Sequence, residues 1–230
     1  MVTIAVFVNP GTVPATQKGA KDSSNRSFEY DSMSDRYARF LVEDFLPVAL
    51  KGLNVSSDPK QRAVCGISSG GICAFTAAWE RPDQFGRVLS HIGSFTNIRG
   101  VISKGKEVGG NQFPQMVMDA PKKDIRIFSQ DGSHDLTNEF GVWPEANQKM
   151  ADAWKAKGYD YQFILGEGTD RHVDHEDPVP ARPFDQVAAD RWSEQRPGDG
   201  AEGEALLQVH HPPRDHVAGH RPEPLVLPVE

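Results

Sequence analysis

The run Cys65-Gly66-Ile67-Ser68-Ser69-Gly70-Gly71 places a serine at the centre of Gly-x-Ser-x-Gly. A serine hydroxyl is a weak nucleophile at neutral pH and gains strength only beside a general base, itself oriented by a third group. The flanking glycines suit a sharp strand-to-helix turn that presents the hydroxyl at its tip. Ser68 is therefore the candidate nucleophile. The backbone N–H of Ser69 is the candidate first donor to an oxyanion, and a second donor must come from elsewhere. Pro10 has no N–H, so in the turn Asn9-Pro10-Gly11 the second donor is expected at Gly11, with Thr12 as the alternative, and Asn9 borders the same space.

In chains that use this turn, the acid and then the histidine follow the serine. Asp135, in Gly132-Ser133-His134-Asp135, is the preferred acid, with Asp131 competing for the role. His172 is the preferred base and His175 its alternate. His91 is expected to line the pocket. His134 shapes the site or sits at the surface.

These groups need a scaffold. Val2–Val8 is apolar almost throughout, which predicts a strand buried on both faces of a parallel sheet. Gly11–Ser34 is polar and rich in turn formers, and reads as a long surface loop. Ser34 is expected to cap a helix carrying Tyr37, Phe40, Leu41 and Phe45, with Pro47 kinking or restarting it near its end. Strands are predicted over 62–67, 87–92, 124–129 and 159–165. Helices are predicted over 70–80, where small residues allow close packing on the sheet, and from Pro144 to Gly158. Residues 97–123 read as an irregular excursion. The alternation argues for an α/β fold with a mostly parallel sheet.

Composition narrows the class. The chain has 230 residues, 38% of them hydrophobic, and a net charge of −7. No basic cluster suggests nucleic-acid binding, and no apolar run approaches the ~20 residues of a membrane span. No signal-peptide pattern opens the sequence, so a cytoplasmic setting is expected for the chain as it stands, while a longer parent could be exported. Cys65 and Cys73 read as small buried packing residues. Six of the eight histidines fall after Thr169. The chain is accordingly divided into a core, 1–169, and a Pro/His/Asp-rich tail, 170–230, expected to be solvated, with short pieces at 187–192 and 205–209.

The ordered set Phe7–Gly11, Arg26–Asp31, Phe45-Leu46-Pro47, Gly66–Gly71 and Asp131–Asp135 resembles the esterase-D-like α/β-hydrolases, including enterochelin-esterase (Fes-like) and feruloyl-esterase-like enzymes. The resemblance covers about residues 2–169. It implies an α/β-hydrolase-type sheet with flanking helices, and a carboxylic ester hydrolase with Ser68 as nucleophile and Asp135 as acid. It also implies that Glu29 and Tyr30 border the substrate cleft. Family members have further strands before the one that opens this chain, so the first strands are expected to be missing. An edge left unpaired in that way invites pairing with a second copy, and a homo-oligomer is expected. Where the family places its histidine, after Gly168-Thr169, this chain has Asp170.

The expected reaction is hydrolysis of a small or aryl ester, or of a lactone with the same apparatus, and it needs no cofactor. The competing readings are a metal-dependent hydrolase using His172–Asp177 and a non-catalytic scaffold of the same fold.

Overall fold

The computed structural model describes residues 3–17, 19–98, 102–103, 106–168 and 205–209. Its centre is a six-stranded sheet: β1 (Ile4–Phe7), β2 (Arg62–Ile67), β3 (Arg87–His91), β4 (Arg126–Gly132), β5 (Asp160–Gly166) and β6 (Ala205–Val209). The spatial order is β1-β6-β2-β3-β4-β5, with every neighbouring pair parallel. Helices α1 (Arg26–Tyr30), α2 (Arg36–Arg39), α3 (Leu46–Ala49), α4 (Ser69–Glu80), α5 (Phe113–Asp119) and α6 (Trp143–Ala156) complete the α/β architecture. No helix among the described residues is long and apolar enough to cross a membrane.

The central strands carry the core. Val64, Val88 and Ile127 on β2, β3 and β4 have no exposed surface. Against them pack the rings of Phe75, Phe95, Phe113 and Trp154, with centroids 5.2 to 6.2 Å apart, mostly edge to face. Cys65 and Cys73 are buried and form no disulfide with each other, as packing residues should be.

Several expectations need correction. β1 alternates half-buried and exposed residues instead of being buried on both faces, and Phe7 is 61% exposed. The helix expected to start at a Ser34 cap begins at Arg36, after an Asp35 that makes no capping bond. Asp35 instead pairs with Arg39 at 3.1 Å. The helix then widens into a π-helical stretch, Phe40–Phe45, before restarting as α3. Pro47, which cannot donate to the preceding turn, sits at that restart.

Two helices lie where loops were read. α1 interrupts the polar segment 11–34, and α5 interrupts 97–123. The segment Ala205–Val209, assigned to the solvated tail, enters the sheet between β1 and β2. The piece at 187–192 lies outside the described residues.

Candidate active site

Because the strands are parallel, their C-terminal ends share one edge of the sheet. Ile67 is level with His91, His91 with Gln130, and Gly132 with Gly166. The residues just past those ends therefore meet, which is where open α/β sheets build their sites.

Ser68 occupies the junction of β2 and α4 with φ 58° and ψ −121°. A non-glycine residue at positive φ is strained, by ~1–3 kcal/mol. The junction closes because Gly66 lacks a side chain: a Cβ there would lie 2.2 Å from the Gly70 carbonyl oxygen. Gly71 is crowded in the same way, its notional Cβ meeting Ser90 Oγ at 2.9 Å and the His91 carbonyl at 3.0 Å. The turn is pinned from β3, since Ser68 N–H donates to the His91 carbonyl at 2.9 Å. Ile92 is also at positive φ, 43°, so strain flanks the site on two neighbouring strand ends. Ser69 is the first residue of α4, where N–H groups have no partner within the helix.

Three buried residues that the sequence reading did not single out surround this junction. Ser94 Oγ lies 3.3 Å from Ser68 Oγ, and Ser94 N–H donates to the Ser68 carbonyl at 3.2 Å. Trp143, at the start of α6, donates its indole N–H to Ser94 Oγ at 3.3 Å. Asn147, one turn along α6, donates to the Gly93 carbonyl at 2.9 Å and to Asp131 Oδ2 at 2.6 Å. Nothing in sequence spacing links these positions to Ser68; the parallel register of β2, β3 and β4 does.

Both candidate acids are buried at the end of β4. Asp131 is fully engaged, accepting from Gly132 N–H at 2.8 Å as well as from Asn147. Burial, and then the hydrogen bond and negative charge of Asp135 beside it, push the Asp131 carboxyl up to about 8. Asp135 accepts from Leu136 N–H through Oδ1 at 2.6 Å, while its buried Oδ2 has no partner among the described residues.

The remaining expected site residues are placed as follows. His91 is buried at the end of β3, beside Ser68, and His134 is exposed. Asn9 is exposed at the end of β1. Gly11 N–H is directed at the Glu29 carboxylate, at 3.1 and 3.2 Å from its two oxygens, and Asn25 donates to the same group at 2.9 Å. Glu29 thus ties α1 to the turn after β1. Tyr30, expected at the cleft, is instead fully buried in the core, its hydroxyl donating to the Val8 carbonyl at 3.1 Å. Its ring packs on Tyr37 at 5.2 Å, so this residue anchors the loop.

His172, His175 and the segment 172–177 lie outside the described residues. Among the described residues, no three histidine, cysteine or acidic side chains cluster closely enough to hold a metal ion. A cavity of about 380 Å³ is lined by Phe95, Thr96, Asn111, Phe140, Glu145 and Lys149 among others, and neither Ser68 nor either aspartate lines it.

A strained serine at a strand-to-helix turn, with two carboxylates past a later strand, is the geometry of an α/β-hydrolase edge. Residues 2–174 match the family model described as "Putative esterase". The chain belongs to this esterase family. Among curated proteins, it is 27% identical over 136 residues to an endo-1,4-beta-xylanase/feruloyl esterase of Xylanibacter ruminicola, covering 59% of this chain and 15% of that protein. Among solved structures, a ferulic acid esterase superposes with a TM-score of 0.50 at 22% identity, over 65% of this chain and 61% of the other. Enterochelin esterase from Shigella flexneri gives 0.50 at 19% identity, over 63% and 35%. These structural likenesses establish a shared α/β-hydrolase-type fold. The chain spans less than two thirds of the length of each of the three.

Proposed function

We propose that this esterase-family chain is a serine-type carboxylic ester hydrolase acting on small or aryl esters through an acyl-enzyme. The observation that carries the reading is the strained backbone of Ser68, at φ 58° on the sheet edge where the acids converge. Strain of this kind, held by flanking glycines that admit no Cβ, aims one hydroxyl outward at a cost the rest of the fold must offset.

In this reading Ser68 Oγ attacks the ester carbonyl carbon and its proton passes to a histidine. The oxyanion is held by Ser69 N–H and a second donor; Gly11, the assigned candidate, serves only if its N–H leaves the Glu29 carboxylate it is bonded to in this structure. The histidine proton then goes to the departing alcohol, and water attacks the acyl-serine by the same route in reverse. A lactone would follow the same steps, with alcohol and acid remaining one molecule.

Asp135 is the preferred orienting acid because its Oδ2 takes no bond from a backbone or amide donor, its one acidic neighbour being the Asp131 carboxyl. Asp131 has both oxygens occupied. His172 is the assigned base, with His175 as alternate. Gly168 N–H donates to Ser133 Oγ at 2.8 Å, so the chain leaves the described core beside Asp135.

The test is labelling with a fluorophosphonate followed by peptide mass spectrometry. The expected result is a single adduct on Ser68, with p-nitrophenyl acetate turnover abolished in Ser68→Ala. An active protein with no adduct on Ser68 contradicts the proposal. The pH–rate profiles of His172→Ala and His175→Ala identify the base.

A further inference from the structure

We propose that Ser94 is a catalytic hydrogen-bond donor to the Ser68 oxygen, its direction set by the indole of Trp143. The inference rests on the reading of Ser68 as nucleophile and adds a residue to it. It starts from the protons and lone pairs that each group holds. An indole N–H can only donate. The Trp143 N–H points at Ser94 Oγ and so occupies one of its lone pairs. The single Ser94 hydroxyl proton then has Ser68 Oγ, 3.3 Å away, as its neighbour. Ser68 accepts from Ser94, which leaves its own proton for the base. Ser94 Oγ keeps a second lone pair as well as its proton; the proposed direction is from Trp143 through Ser94 to Ser68.

The setting strengthens the effect. Ser94 and Trp143 are each 1% exposed and Ser68 is 5% exposed, so water does not compete for these bonds. Ser94 is also held from behind, because its backbone N–H donates to the Ser68 carbonyl at 3.2 Å. An O–H···O contact of 3.3 Å is longer than the ~2.7–2.8 Å usual between neutral hydroxyls. Contacts to an oxygen that carries negative charge shorten to ~2.5–2.7 Å. The Ser94 contact therefore tightens as Ser68 loses its proton, and again when Ser68 Oγ departs from the acyl group. An interaction weak in the resting state and strong in the transition state raises the rate rather than the resting affinity. No bond to Ser94 forms or breaks. Its proton stays on Ser94, and the Ser68 proton goes to the base.

The experiment uses the full chain and a fluorophosphonate. In this reaction the Ser68 Oγ–phosphorus bond forms, fluoride leaves and the serine proton passes to the base. The second-order rate of Ser68 phosphonylation is measured by intact-mass spectrometry for the wild type, Ser94→Ala, Ser94→Thr and Trp143→Phe. Loss of one donor to a charged oxygen is expected to slow Ser94→Ala by about 10- to 100-fold. Ser94→Thr, which keeps the hydroxyl, is expected within about threefold of the wild type, and Trp143→Phe between the two. Ser94→Ala reacting as fast as the wild type overturns the proposal. So does Ser94→Thr falling as far as Ser94→Ala at an unchanged melting temperature, because the side chain's role is then packing.

A second readout needs no catalysis. The Trp143 indole N–H resonance must move in Ser94→Ala, and a resonance that stays in place removes the first link of the chain. A wild type that forms no adduct at Ser68 defeats the nucleophile reading itself. A reactive wild type with an indifferent Ser94→Ala defeats only the role of Ser94.

Discussion

Replacing Asp131 with asparagine should reverse sign as pH rises. In the folded chain the Asp131 carboxyl is raised to about 8 from its ordinary 3.8, chiefly by burial and then by Asp135. A carboxyl raised by folding holds its proton in the folded state after the unfolded chain has released it. Between about pH 4 and pH 8 the folded state thus binds more protons, and stability falls as pH rises. Below about pH 4 both states are protonated and the penalty vanishes. Above about 8 both are ionised and the penalty is complete.

One pH unit corresponds to about 1.4 kcal/mol, so four units set a ceiling of about 5–6 kcal/mol. Solvent screening and sharing of the charge with Asp135 reduce this, and about 2–3 kcal/mol is the working figure. Asparagine removes the titration but carries a cost of its own. Asp131 accepts from both Gly132 N–H and Asn147. A protonated carboxyl can accept at both oxygens while donating from one, whereas an amide nitrogen accepts nothing. The variant therefore loses one hydrogen bond, about 1 kcal/mol. Asp131→Asn should be less stable than the wild type by about 1 kcal/mol near pH 4 and more stable by about 1–2 kcal/mol at pH 9. Melting temperatures of both proteins across pH 4–10 give the difference curve directly, at about 2–4 °C per kcal/mol for a chain of this size. Parallel curves without a crossing refute the argument, because they leave Asp131 with no proton to lose over that range.

The elbow yields two further predictions. Ser68→Gly relieves the positive φ and should raise the melting temperature, by about 1 kcal/mol of stability, while abolishing phosphonylation; an unchanged or lowered melting temperature counts against strain at this residue. Gly66→Ala drives a Cβ to within 2.2 Å of a backbone oxygen that has no free path of retreat, and should destabilise by more than about 3 kcal/mol, read as loss of soluble protein or of the cooperative melting transition.

The sheet and its elbow were legible because their signals are local. β2 and the core of α4 carry apolar and small-residue runs bounded by turn formers, and both fall where the residues place them. α1 was hidden by its brevity: five residues in a polar segment show no helical period, and only the burial of Tyr30 explains why the turn is retained. α5 follows a stretch rich in glycine and lysine, and its Pro114, which suits a first helical turn, reads equally well as a loop residue. Ser94, Trp143 and Asn147 could not be found by pattern at all. Their contacts join positions 16 to 54 residues apart, made by strand register and by the docking of α6 on the sheet edge. The exposure of Phe7 and the entry of Ala205–Val209 into the sheet are likewise tertiary outcomes, invisible to a strand-by-strand reading.

The place of β6 between β1 and β2 has a consequence for the order of assembly. Among the described residues β1 joins the sheet only through β6, with Ile4 aligned to Ala205 about two hundred positions later. During synthesis β2 to β5 can pair as each emerges, but β1 must wait until the strand beside it has left the ribosome. Contacts of such sequence separation close slowly, since the loop entropy is lost before any bonding is gained. The Asn9–Gly11 turn and the Glu29 tether that follow β1 are thus among the last parts of the site to settle, after Ser68 and both aspartates have been set by the strands between.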